Sequence, residues 1–165
     1  MRHPTPDPTR PGQESVWDYP RPPRAERVDE RVTIEFGGVG IVDTDDVVRV
    51  LETSHPPTYY VPMAAFAPGA LRPARGRSFC EYKGAARYFD VVVGDAVAEG
   101  AAWTYPEPTG GFAVLADRVA VYPGRMDRCT VDGETVIPQP GGFYGGWVTS
   151  RVSGPFKGVP GSMGW

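Results

Sequence analysis

Residues 87–97 read Arg87-Tyr88-Phe89-Asp90-Val91-Val92-Val93-Gly94-Asp95-Ala96-Val97. An aromatic and β-branched run, a two-residue turn containing glycine and a second apolar run together spell a β-hairpin. The glycine supplies the positive φ that lets two right-twisted strands fold back on each other. The same pattern recurs on both sides. Val32-Thr33-Ile34-Glu35-Phe36 alternates, turns at Gly37-Gly38 and resumes at Gly40-Ile41-Val42; Arg128-Cys129-Thr130-Val131 turns at Asp132-Gly133 and resumes at Glu134-Thr135-Val136-Ile137. Three such units predict a mainly β protein: a small antiparallel sheet or open barrel, or a tent-like sandwich, built of hairpins. One or two short helices are expected beside them. Asp45–Leu51 fits a helix or a strand, and 109–116 offers a cap followed by Phe112-Ala113-Val114-Leu115. The long helices of a doubly wound parallel sheet are missing.

The ends differ from this middle. Residues 1–13 are proline-rich and polar, a composition expected to stay disordered, so the β-rich domain is expected to occupy 14–165. Within it, 14–24 reads as an N-terminal arm: Trp17 and Tyr19 supply apolar area, while Pro20, Pro22 and Pro23 favour extended backbone. Residues 141–165 combine many glycines with Phe143, Tyr144, Trp147, Phe156 and Trp165, which suits a second extended arm packed on the core or on another copy of the chain.

Composition narrows the function. Charged side chains are 22% of the chain and the net charge is −3, so no broad positive field awaits a nucleic-acid backbone. Two cysteines, Cys80 and Cys129, are expected as free thiols in a reducing compartment. The first residues lack the apolar stretch of a secretory signal, and no run approaches the ~20 apolar residues that span a bilayer. A soluble, cytoplasmic protein with no nucleic-acid and no membrane partner is the expectation.

His3 lies in the tail, so His55 is the one imidazole expected in the folded part. It sits in Leu51-Glu52-Thr53-Ser54-His55-Pro56-Pro57-Thr58-Tyr59-Tyr60, where Pro56 pushes it towards extended backbone. Histidine titrates near neutrality, so His55 is a candidate general acid/base, with Glu52 to orient it and Ser54 nearby; the alternative is an imidazole that caps a turn. In Ser78-Phe79-Cys80-Glu81-Tyr82-Lys83-Gly84, a strand would set Cys80 and Tyr82 on one face and Glu81 and Lys83 on the other. Cys80 is a candidate nucleophile or a small buried apolar group, and Lys83 a candidate anion partner or an edge charge. His55, Cys80 and Cys129 with one carboxylate would make a zinc set, but no Cys-x-x-Cys or closely spaced histidine pair supports a metal, and none is assigned. P-loop, dinucleotide and Gly-x-Ser-x-Gly motifs do not occur.

Several phrases taken together, Glu14-Ser15-Val16-Trp17-Asp18-Tyr19-Pro20, Val50-Leu51-Glu52-Thr53-Ser54-His55-Pro56-Pro57, Cys80-Glu81-Tyr82-Lys83-Gly84, Ala102-Trp103-Thr104-Tyr105-Pro106 and Gly141-Gly142-Phe143-Tyr144-Gly145-Gly146-Trp147, resemble the bacterial family known as domain of unknown function 427. The resemblance covers about 14–165. It implies a compact β-rich fold and a nucleotidyltransferase-like label that no Gly-Ser pair with spaced aspartates, and no phosphate loop, supports in this chain. Carried over by position, it marks Glu52, Ser54, His55, Tyr60, Cys80, Lys83, Tyr88, Trp103, Tyr144 and Trp147. The acidic turn Asp43-Thr44-Asp45-Asp46 departs from the pattern, which expects a serine and an arginine there.

The expected function is binding of a small organic ligand in a pocket at the mouth of the sheet. Glu52, His55 and Lys83 would be its polar or catalytic groups, and Ser54, Tyr60, Cys80, Tyr88, Trp103, Tyr144 and Trp147 its ligand-binding surround. Whether turnover accompanies binding is left open, and the residues name no cofactor. The alternatives are an interaction module that forms a homodimer through the two arms, and a zinc-dependent hydrolase.

Overall fold

The structure, a computed structural model, describes residues 3–80 and 82–165. The first strands are β1 (Glu14–Ser15), β2 (Arg24–Val28), β3 (Val32–Phe36), β4 (Val39–Thr44), β5 (Val47–Leu51), β6 (Thr58–Pro62) and β7 (Leu71–Cys80). They are followed by β8 (Gly84–Val93), β9 (Ala96–Thr104), β10 (Arg118–Val121), β11 (Arg128–Val131), β12 (Glu134–Thr135), β13 (Ile137–Pro138), β14 (Trp147–Val148) and β15 (Val152–Ser153). Seven of them form one antiparallel sheet in the order β2-β5-β6-β10-β9-β8-β7, and four form a second in the order β12-β11-β3-β4. Among the described residues no sheet closes into a barrel.

All three hairpins read from the sequence are present, as β3–β4, β8–β9 and β11–β12. The large sheet is apolar on both faces. On its inner face Val47, Val61, Val91, Ala102 and Val119 meet Val32 and Ile34 of the small sheet. On its outer face Val48, Val50, Tyr60, Trp103 and Ala120 meet Phe112 and Leu115, carried by a 3-10 stretch at Gly110–Leu115. Burial on both faces explains Val47-Val48-Arg49-Val50-Leu51. A strand covered on two sides loses the polar alternation, so its sequence is ambiguous between helix and strand, and here it is β5.

One local expectation is corrected. The strand carrying Cys80 ends at that residue; Tyr82 and Lys83 lie in the turn that Gly84 closes with φ of 104°. Alternation of faces therefore stops at Cys80, and Lys83 takes its direction from the turn. Glu81 lies outside the described residues.

The two arms pack on each other and on the domain. Glu14 and Ser15 pair in parallel with Val152 and Ser153, and the Trp17 indole N–H donates to the Pro155 carbonyl at 3.0 Å. Val16, Tyr19, Leu51 and Val152 form a third, small core beneath them. Arg49, mostly buried, clamps Glu14 and Glu26, each at 2.7 Å. Among the described residues no helix is long and apolar enough to cross a membrane.

Candidate functional site

The turn between β5 and β6 is set by backbone chemistry. The His55 N–H donates to the Glu52 carbonyl at 3.0 Å, and Ser54, at the third position of that four-residue turn, has φ of 73°. A type II turn takes this positive φ and brings the side chains at its two ends together. The Glu52 Oε2 and His55 Nε2 atoms are accordingly 3.9 Å apart. Helical spacing is not what joins them. Ser54 itself is fully buried, and its hydroxyl has no hydrogen-bond partner among the described residues.

Both side chains line a cavity of about 200 Å³ on the outer face of the large sheet. Lys83 reaches it from the β7–β8 turn, Tyr60, Tyr88 and Trp103 from three strands, and Tyr144 from the glycine-rich arm. The walls are fixed. The Trp103 indole N–H donates to the Tyr60 hydroxyl at 3.1 Å, and its ring lies 4.6 Å from that of Tyr122. Burial holds the Tyr60, Tyr105 and Tyr122 hydroxyls above their ordinary range, so all three are neutral phenols at pH 7. The Lys83 ammonium stands 5.8 Å from the ring centroids of both Tyr105 and Phe112.

Gln139, which no sequence motif singles out, sets the tautomer of His55. Its Oε1 accepts from the Gly146 N–H at 3.0 Å, which makes the other end of the amide the donor. That Nε2 donates to the Lys157 carbonyl at 2.9 Å and to His55 Nδ1 at 3.0 Å. Nδ1 is therefore an acceptor, and the ring proton sits on Nε2, facing Glu52. Burial, with Lys157 and Arg21 adding positive charge nearby, pushes the imidazole down to about 4. His55 is thus a neutral N–H donor at neutral pH, and its contact with Glu52 is a dipole beside a carboxylate rather than an ion pair. Gln139 orients the ring. Glu52 is held instead by Arg21, whose Nε lies 3.6 Å away.

The arm reaches the cavity because Gly145 and Gly146 have no side chains. A Cβ on Gly145 would stand 2.4 Å from the Trp103 ring, and one on Gly146 would stand 2.8 Å from the Pro56 carbonyl oxygen. The signal for Gln139 in the sequence is faint: one long polar residue between prolines, just ahead of an aromatic and glycine run. It is 3% exposed, and only the fold reveals that.

Three marked residues lie elsewhere. Cys80 packs against the outer-face core beside the cavity without lining it. Ser54 is beneath the turn. Trp147 belongs to the inner-face core, 1% exposed and tilted against Tyr59 at 5.0 Å, with its backbone N–H on the Pro57 carbonyl at 2.8 Å. It anchors the loop that carries His55 from the far side of the sheet. Among the described residues no three His, Cys, Asp or Glu side chains gather as a metal set. Cys129 is in the inner core, where burial pushes its thiol up to about 12. The acidic turn at 43–46 is away from the cavity, with Asp43 on Arg31 and Asp46 on Arg27 and Arg118.

A family model described as Domain of unknown function (DUF427), with a short label that abbreviates nucleotidyltransferase, matches residues 24–132. No curated protein matches the chain. The matched span contains Glu52, His55, Lys83, Tyr88 and Trp103; Gln139 and Tyr144 lie beyond its end.

Proposed function

This chain belongs to the domain of unknown function 427 family, and we propose that it binds a small planar, polar organic molecule in the cavity on the outer sheet face. The observation that carries this reading is the meeting of Glu52, His55 and Lys83, from two separate turns, at one aromatic-walled cavity. Neutral His55 offers an N–H and Glu52 offers carboxylate oxygens 3.9 Å away, a donor beside an acceptor. Such a pair suits a ligand edge that presents a carbonyl next to an N–H, as cyclic amides and many heterocycles do. The rings of Tyr60, Tyr88 and Trp103 suit its faces, and Lys83 suits an anionic substituent.

In an enzymatic form of this reading the roles of His55 and Glu52 change places. Nδ1 of His55 is taken by Gln139 and Nε2 already carries its proton, so the ring has no free lone pair for a general base. Glu52 would accept the proton, His55 would polarise the carbonyl, and Lys83 would stabilise the developing anion. Two other readings have less support. Among the described residues the dispersed thiols leave zinc without a ligand set, and Val16, Tyr19 and Val152 of the two arms are buried within the chain, while Phe143 and Met163 of the second arm are exposed.

A thermal-shift screen of nucleobases, lactams and small aromatic acids tests the proposal, run on wild type, Glu52→Gln and Lys83→Met. A ligand in excess stabilises the native state by mass action, so one chemical class should raise Tm in wild type and fail to do so in Glu52→Gln. A library that shifts nothing in wild type, or shifts both variants equally, overturns it.

A further inference from the structure

A second concavity, of about 540 Å³, lies along the β7–β8 hairpin and is lined by Arg75, Arg77 and Arg87 with Met63, Phe89 and Asp117. Alternation along β8 explains its floor. Val91 and Phe89 point to the inner face, where Val91 is fully buried, and Arg87 continues the same face. The hairpin outruns the small sheet, so the inner face passes from core to open groove. Beyond Arg77 on that face is Phe79, 78% exposed, with Ala85 as its cross-strand partner.

The charges here are not compensated. Arg77 is the direct cross-strand partner of Arg87, and like charges opposite one another destabilise a sheet. Among the described residues no carboxylate lies within ion-pair distance of Arg75, Arg77 or Arg87. Arg72 on the same strand is paired, with Asp90 at 2.9 Å. Arginines on an edge strand discourage unwanted pairing, which accounts for Arg75 and Arg77. It does not account for Arg87, since β8 is an interior strand of the sheet.

We infer that this groove is a second ligand site, which takes the phosphate end of a small organic phosphate whose apolar body lies on Phe89 and Met63. Three guanidinium forks match the several acceptor oxygens of a phosphate better than the two of a carboxylate. An overall charge of −3 makes this local excess stand out, and speaks for a small ligand over a nucleic-acid strand. Asp117 at the rim would meet a hydroxyl or N–H of the ligand body.

Titration calorimetry on the full chain, with phenyl phosphate, inorganic phosphate and benzoate as probes, tests the inference. Phenyl phosphate should bind saturably and more tightly than either of the others. Arg77→Gln and Arg87→Gln should each weaken it about tenfold, the loss of a charge-assisted contact. Both variants should keep a ligand-free Tm at or above that of wild type, because each relieves the arginine pair. Lys83→Met should leave the affinity unchanged, which separates this groove from the aromatic cavity. No saturable binding, equal affinity for benzoate, unaltered affinity in the arginine variants, or binding only by a single-stranded oligonucleotide would overturn the assignment.

Discussion

At the scale of single residues, His55 shows how an environment reassigns chemistry. Histidine in an unfolded chain titrates near 6.5, and here burial lowers it to about 4. Between these values the unfolded chain binds more protons than the native one, so native stability falls as the pH drops through this window and is fully present above it. At pH 4.5 the loss is roughly 2–3 kcal/mol, since each tenfold difference in proton affinity between the two states is worth ~1.4 kcal/mol. Urea unfolding of wild type and His55→Gln at pH 7.5 and pH 4.5 should show the wild-type advantage shrinking by about that amount. Parallel pH dependences would mean that the imidazole is protonated in the native state. Ligand binding should have no inflection from His55 between pH 5.5 and 8, because the ring stays neutral throughout.

At the scale of elements, the cavity depends on how closely the glycine-rich arm can approach the sheet. Trp103 is held by Tyr60 and Tyr122 and has nowhere to retreat. Gly145→Ala would drive a methyl group against that ring, at a cost of about 1–3 kcal/mol typical of overpacking. It should also shift Tyr144 at the cavity wall, which near-ultraviolet circular dichroism would register together with an altered tryptophan band. A variant with wild-type stability and spectrum would show that the arm does not press on Trp103. The hairpins were legible because Gly94-Asp95 and Asp132-Gly133 are local signals, decided by the backbone of two residues. The nearness of Glu52 to His55 was an expectation from residue chemistry, but the turn that makes it was not legible, because it rests on positive φ at Ser54, a residue type that rarely adopts it.

At the scale of the whole molecule, the arms and the two faces of the large sheet decide the outcome. Trp17 packs edge-on against Trp165 with centroids 5.6 Å apart, joining the two arms. Trp17→Ala should lower the unfolding free energy by about 2 kcal/mol, the value of a half-buried large side chain. Since the contact is within one chain, the loss should be the same at low and high protein concentration. A loss that vanishes on dilution would mean that the arms pair between chains. The sequence by itself determined the β class and the hairpin turns, and it offered Glu52, His55 and Lys83 as candidate polar groups. Those rest on local backbone preference and on residue chemistry, which neighbours in sequence largely set. Only the tertiary structure decided that Trp147 belongs to the core and not to the cavity, that Gln139 fixes the imidazole proton, and that Arg87 opens onto a groove. Each of these depends on which segments, distant in sequence, come together in the fold, and neighbours along the chain do not carry that information; in β5, apolar on both faces, even the alternation that would mark a strand is missing.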